Sequence, residues 1–311
     1  MMKIKINHYI NEMLCLDVVQ IICDFSDLET QIKLIQSCKE YDENLKIREL
    51  NCFNGIGNKI TQEILQQKKF DKLRKLNAKN NCRITDVNHL RNTLIELDCS
   101  HNRCGIDQKG ISNLKVLQKL NAFNNNKITE VNHLQNTLIE LVCSWNCGID
   151  QKGISKLKVL QKLNTNNNNK ITEVNHLQNT LIELDCCSDC GIDQKGISNL
   201  KVLQKLYAGA NWKITDVNHL QNTLTELICG GDCGIDQKGI SNLTKLQKLD
   251  ASSNNKITDV NHLQNTLIEL NCGWLCGIDQ KGISNLKVLQ KLDACDNNKI
   301  TDKSLFIKKM K

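Results

Sequence analysis

The feature that most constrains this chain is a segment that it copies. LQKLNAFNNNKITEVNHLQNTLIELVCSWNCGIDQKGISKLKV begins at Leu117 and returns with small changes at Leu160, Leu203 and Leu246, a period of 43 residues. Each period divides into a 21-residue half opening LQKL and a 22-residue half opening LIEL or LTEL. Both halves obey one template, L-x-x-L-x-(A/C)-x-x-(N/D)-x-x-I, whose residues are numbered below as positions 1 to 12. Leu73 and Leu94 open an earlier pair lengthened by one residue around Arg103, Ile47 opens an irregular unit, and Leu289 a truncated one. The twelve units start at residues 47, 73, 94, 117, 138, 160, 181, 203, 224, 246, 267 and 289. Near-identical modules bury their apolar faces only against neighbouring modules, so the interior is layered along the chain and not globular. Composition agrees: with 4% aromatic residues, 17 cysteines and no proline in 311 residues, the layers must be filled by Leu, Ile, Val, Ala and Cys.

The spacing points Leu at positions 1 and 4 and a small residue at position 6 inward, and positions 3 and 5 outward from one short parallel strand. This template resembles the leucine-rich-repeat family over the last five-sixths of the chain. The resemblance implies an α/β solenoid, a leucine-rich-repeat horseshoe of about twelve short parallel strands with a small helical N-terminal cap. Position 9 is Asn in every full 21-residue half (Asn81, Asn125, Asn168, Asn211, Asn254). In this family such side chains satisfy backbone groups where the chain leaves the strand. The 22-residue halves carry Asn102, Asn146, Asp189, Asp232 and Leu275 there. Leu275 cannot hydrogen-bond, so its turn is expected to be the least rigid. KITEVNHLQNT is too short and β-branched for a good helix and predicts a 3₁₀ or extended return. GIDQKGISNLKV offers an Asp N-cap and a helix of a turn or two, and that half resembles the cysteine-containing repeats of F-box proteins.

Residues 13–45 do not follow the repeat. Val18, Ile21, Ile22 and Phe25 fall at i, i+3, i+4 and i+7 on one predicted helix opened by Asp17, and Leu28, Ile32, Ile35 and Cys38 mark a second. The expected organisation is therefore a helical segment 1–46, an array 47–311 and a basic tail 299–311. Two readings of the helical segment stay open. One is a cap covering the first repeat. The other is an F-box: Leu14, Asp17, Val18, Ile21, Phe25 and Leu28, then Cys38 and Lys39, are similar to that motif, with Cys15 where its proline usually stands. That resemblance implies docking to a Skp1-type adaptor through Leu14, Val18 and Ile22, with the repeats holding a substrate for ubiquitin transfer.

The residues that invite chemistry recur too regularly to converge. Cys143, Cys186, Cys229 and Cys272 occupy position 6 in alternate strands, about 9 to 10 Å apart, too far for disulfides. C-x₃-C without nearby His lacks the usual zinc spacing. Core filling is the favoured role. His89, His133, His176, His219 and His262 lie one period apart, too far to share an ion, and are expected as a solvated ladder on the convex side. No metal, no cofactor and no enzyme activity are expected. The net charge of +7 is concentrated: residues 299–311 hold five basic groups and one acidic group, which reads as a solubilising tail in preference to a polyanion site. Position 3 alternates Lys and Glu from Lys75 to Lys291, predicting a self-neutralised ion-pair ladder that places nucleic acid below protein as a ligand.

Within copied repeats, columns 5, 7 and 8 vary. Exposed aromatic and apolar residues among small polar ones are what binding hot spots look like, with drift at unpacked positions the competing explanation. The candidate partner-binding residues on the concave face are Phe123, Trp145, Tyr207, Ile228, Trp274 and His101. No stretch approaches the ~18 apolar residues of a membrane span, and MMKIKINHYINEM lacks the apolar run of a signal peptide. The expectation is a cytoplasmic, monomeric, non-enzymatic module binding a protein ligand. The bias to Asn, Lys and Ile without Pro, joined to near-identical repeats, resembles leucine-rich-repeat proteins of giant DNA viruses or amoebae.

Overall fold

The computed structural model describes residues 15–53 and 59–302. It divides into two compact units, Met1–Ile128 and Thr129–Lys311. The first carries helices α1 (Leu16–Asp24), α2 (Leu28–Ile35) and α3 (Lys39–Asn44), then strands β1 (Glu49–Asn51), β2 (Lys75–Asn77), β3 (Glu96–Asp98) and β4 (Lys119–Asn121), with one-turn helices α4 (Gln62–Leu65) and α5 (Gln108–Ile111) between them. The second carries β5 (Glu140–Val142), α6 (Gln151–Ile154), β6 (Lys162–Asn164), β7 (Glu183–Asp185), α7 (Gln194–Ile197), β8 (Lys205–Tyr207), β9 (Glu226–Ile228), β10 (Lys248–Asp250), β11 (Glu269–Asn271) and β12 (Lys291–Asp293). Within each unit successive strands pair in parallel and in one register, so position 3 meets position 3 and position 5 meets position 5.

A strand of three residues makes too few ladder bonds to define a turn of chain by itself. The interior supplies the rest. Positions 1, 4 and 6 are buried as expected except for the half-buried Leu292 of β12, with the Ile at position 12 of the 21-residue halves and the Val and Leu of each VNHL segment beside them. At position 9 of the 21-residue halves the buried Asn bonds at every polar atom. Asn168 Nδ2 donates to the carbonyls of Cys143 at 2.7 Å and Ile149 at 3.1 Å, and its Oδ1 accepts from Lys170 N at 3.0 Å. The same set recurs at Asn125, Asn211, Asn254 and Asn297. The Lys two residues later adds its Nζ to the carbonyl of Cys104, Cys147, Cys190, Cys233 or Cys276. Each 21-residue half is thus bolted to the half before it.

The 22-residue halves solve the same problem differently. Their position 9 is exposed in every case, and Leu275 is 82% exposed. The interior place is taken one residue later by Cys147, Cys190, Cys233 and Cys276. Leu275 therefore removes no hydrogen bond that its sister units possess, and the expected loosening of its turn has no basis in the contacts. The cysteines fill the core: those at positions 6 and 10 of these halves are buried, and Thr165 Oγ1 lies 3.1 Å from Cys190 Sγ.

The returns alternate as the two halves predict. Asn-His-Leu forms a 3₁₀ turn in each 21-residue half. In the other half Asp107, Asp150 and Asp193 cap α5, α6 and α7 by accepting from the N–H of the Gly three residues on. That glycine is required by packing, since a Cβ on Gly196 would sit 2.3 Å from the Thr172 carbonyl oxygen. The histidines are exposed, but three are tethered, with Nε2 of His176, His219 and His262 lying 3.1 to 3.2 Å from the carbonyls of Ile154, Ile197 and Ile240. Desolvation of the ring holds these imidazoles neutral to lower pH than usual, with the carbonyl bond opposing that shift.

The N-terminal helices depart from the sequence reading in detail. α1 begins at Leu16 after an extended Cys15, with Asp17 inside its first turn. Its buried residues are Val19 and Cys23, so the periodic face of Val18, Ile21, Ile22 and Phe25 points away from the interior. α2 is capped by Asp27, which accepts from Thr30 N at 2.8 Å.

Two outcomes follow. Asn168→Ala strands two buried carbonyls and an N–H, and lowers the unfolding free energy by about 3 kcal/mol, whereas Leu275→Asn changes it by less than about 0.5 kcal/mol; denaturant titration measures both. Burial pushes the Cys104 and Cys147 thiols up to about 11 and those of Cys52 and Cys187 to about 12, and drives Cys143, Cys186 and Cys229 well above the usual range. Below pH ~9 both folded and unfolded chains keep these protons; above it the unfolded chain loses them first, so stability falls as pH rises from about 9 to about 12. Urea midpoints flat up to pH 8.5 and dropping beyond it are expected.

Candidate binding surface

The outward row at position 3 forms ion pairs of the kind that the alternating charges predict, but in separate groups and not as one continuous ladder, since Lys205 pairs with Glu226 and not Glu183, and Lys248 with Glu269 and not Glu226. Glu49 meets Lys75 at 3.0 Å in the first unit. In the second, Lys162 lies 3.8 Å from Glu140 and 3.7 Å from Glu183, Lys205 lies 3.4 Å from Glu226, and Glu269 is held between Lys248 at 3.6 Å and Lys291 at 2.9 Å. The bond from Lys291 keeps the Glu269 carboxyl below the ordinary carboxylate range. These pairs are solvated, each worth about 1 kcal/mol or less, and their main effect is to cancel the row's charge.

Position 5 has a structural duty that spacing alone does not reveal. Wherever it is Asn or Asp, its Oδ1 accepts from the backbone N–H two residues on, closing the turn by which the chain leaves the strand: Asn77 to Lys79, Asp98 to Ser100, Asn121 to Phe123, Asn164 to Asn166, Asp185 to Cys187, Asp250 to Ser252, Asn271 to Gly273 and Asp293 to Cys295. Neighbouring members bond sideways, as Asn164 Nδ2 does to Asp185 Oδ2 at 2.8 Å and Asn271 Nδ2 to Asp250 Oδ2 at 3.0 Å. Val142, Tyr207 and Ile228 interrupt this column. Tyr207 and Ile228 face each other in register on β8 and β9, and both are half-buried. Beyond them the chain carries the small residues Gly209-Ala210 and Gly230-Gly231. The Tyr207 phenol is pushed up to about 12, first by burial and then by Glu183, Glu226 and Asp185. A depression of about 290 Å³ continues from Ile228 across β10 and β11 to Asp293.

The candidate residues fall into separate groups. His101 and Phe123 stack edge to face at 5.4 Å in the first unit. Tyr207 and Ile228 form the second group. Trp145 and Trp274 sit at position 8, beside β5 and β11, and are 51% and 62% exposed; six strand spacings, about 29 Å, separate them. Position 8 takes a left-handed backbone in every full unit, with φ 75° at His101 and 59° at both tryptophans, a conformation that bulky residues seldom adopt. Trp212 was not among the candidates. It is 65% exposed with Lys213 Nζ 5.7 Å from its ring centre, and its place at position 10, where the sister units hold Asn or Cys, was the available signal. Val18 and Ile22 are exposed on α1, while Leu14 lies outside the described residues. Trp274→Asn, which substitutes the residue that Asn80, Asn124 and Asn167 place in the same backbone state, is expected to raise the unfolding free energy by about 1 kcal/mol. A loss of stability in denaturant titration would mean that indole contacts outweigh the backbone cost.

No family model and no curated protein matches the chain. Among solved structures it is similar to an internalin (inlF) from Listeria monocytogenes, at 28% identity over 85% of this chain and 77% of that one, with a TM-score of 0.60. The functional domain of InlJ from the same organism, which includes a cysteine ladder, matches at 21% identity over 74% of this chain and 55% of that one, with a TM-score of 0.40. Rad7, in its complex with Elc1 from yeast, matches at 17% identity, covering 84% and 72%, with a TM-score of 0.48. The in-register parallel strands, the inward leucines and the internalin likeness together make the fold of this chain a leucine-rich-repeat solenoid.

Proposed function

We propose that this protein is a non-enzymatic interaction module that binds a protein ligand on the concave strand face of its second unit, anchored by Tyr207 and Ile228. The observation that carries this is the break in column 5. Val142 stands alone, but two adjacent strands give up the Asx turn that the Asn and Asp members of the column make, and place Tyr207 beside Ile228 between polar neighbours. Hot spots of protein interfaces combine such an anchor with a polar surround. Trp145 and Trp274 flank the same unit as rim contacts, and His101 with Phe123 supplies a separate aromatic pair in the first unit. The self-neutralised position 3 row favours protein over nucleic acid, and thiols held protonated by burial are poor nucleophiles. Among the described residues no helix is long and apolar enough to cross a membrane. A chain with this many unpaired cysteines suits a reducing compartment such as the cytoplasm, acting as a monomer.

A second reading concerns α1. Its apolar face is uncovered among the described residues: Val18 is 38%, Ile22 47% and Phe25 89% exposed. A pure cap would turn that face inward. Such a helix suits an adaptor, and with the repeats holding a substrate the protein would serve as receptor of a Skp1-cullin-type ubiquitin ligase; without an adaptor it is a stand-alone scaffold whose N-terminal helices are only a cap.

Affinity capture with three forms of the full chain separates these. Tyr207→Ala with Ile228→Ser is expected to lose the ligand by at least tenfold while keeping any adaptor, and Val18→Glu to lose the adaptor while keeping the ligand. A ligand retained by the double variant removes the strand-face reading. An adaptor indifferent to Val18→Glu removes the second.

A further inference from the structure

Charge is distributed unevenly over this molecule, and the strand face of the second unit runs against the whole. The chain carries +7, yet on that face the lysines at position 3 are matched by glutamates. Position 2 supplies only Ile, Gln or Thr there. Position 5 then adds Asp185, Asp250 and Asp293 with no cation among them. Two of these carboxylates bracket the apolar pair directly: register places Asp185 beside Tyr207, Tyr207 beside Ile228, and Ile228 beside Asp250.

Both carboxylates are held in place without being neutralised. Asp185 accepts from Asn164 Nδ2 at 2.8 Å and Cys187 N at 3.3 Å, and Asp250 from Asn271 Nδ2 at 3.0 Å and Ser252 N at 2.9 Å. Every donor is uncharged, and among the described residues neither Asp forms an ion pair. Tyr207 registers the resulting field, since nearby carboxylates add to burial in keeping its phenol protonated.

Resting on the strand face as the binding surface, we propose that the ligand is an extended peptide segment with one apolar anchor and a Lys or Arg two residues to either side of it. The geometry sets that spacing. Asp185 and Asp250 lie three strands apart, about 14 Å, and residues i and i+4 of an extended chain span about 13 Å. Residues i, i+2 and i+4 of such a chain point to one side. A peptide crossing the strands therefore sets its central side chain over Tyr207 and Ile228 and its outer cations over the two carboxylates.

The test is selection of a displayed library of random nine-residue peptides on the immobilised full chain. The selected peptides are then titrated against the parent, against Tyr207→Ala, and against Asp185→Asn and Asp250→Asn, with folding checked by circular dichroism. Peptides of the form (Lys/Arg)-x-apolar-x-(Lys/Arg) are expected. Each Asn variant should bind them about threefold to fivefold more weakly, the pair of changes together about tenfold, and Tyr207→Ala at least tenfold, with affinity falling as salt is raised. Peptides that need Tyr207 but carry acidic or uncharged flanks, or that ignore both Asn changes, overturn this inference and leave the strand-face reading standing. Peptides indifferent to Tyr207→Ala, or the absence of any selected sequence, overturn both.

Discussion

The structure depends on one buried side-chain amide repeated down the array. Three-residue strands offer few backbone bonds, and the layers between them are packed from interchangeable Leu, Ile and Val, which resist water but discriminate poorly between registers. Asn at position 9 supplies the discrimination. Its two donors end on carbonyls of the preceding half, and its acceptor takes a backbone N–H of its own turn. A slip by one residue would bury that amide unpaired, at a cost of a few kcal/mol per site. The Lys two residues on adds a second clamp to the same neighbour. The alternate halves, lacking Asn in the interior, receive these bonds and fill the equivalent space with Cys.

Once register is enforced from inside, the outer face can change without shifting the strand pairing. Position 3 is used to cancel charge and position 5 to close turns, so most of the strand face is polar, ordered and electrically quiet. Against that background a few departures stand out physically. Tyr207 and Ile228 forgo a turn-closing bond, and Trp145 and Trp274 occupy a left-handed backbone state that Asn, Asp, Ser, Ala, Gly and His fill elsewhere in the same chain. Each departure forgoes a local interaction or backbone preference that its sister units keep, and on that ground the binding role is proposed for these residues.

Much of this was legible beforehand because repetition turns one chain into many aligned copies. The strand positions, the inward leucines, the Asn at position 9, the Lys-Glu pairs and the alternating returns all follow from period and side-chain chemistry. What was misread concerns choices that period leaves open. Leu275 stands where the template allows Asn, and only the burial of Cys276 one residue later shows that this half keeps its interior elsewhere. The stripe of Val18, Ile21, Ile22 and Phe25 fits a core-facing helix, yet Val19 and Cys23 are the residues turned inward. Column 5 looked like a freely varying surface, although its Asn and Asp members carry the exit turns.

By itself the amino-acid sequence determined that the chain is a layered stack of short parallel strands, because a period of 43 residues with leucines at fixed spacing permits no other burial. Tertiary structure alone decided which departures from the template become neighbours. Tyr207 and Ile228 are separated by a full half-repeat in the chain and lie in register between two carboxylates, whereas Trp145 and Trp274, identical in template position, sit six strands apart. The reason is that a repeat specifies which way a side chain points, while its company is specified by the pairing of strands remote in sequence.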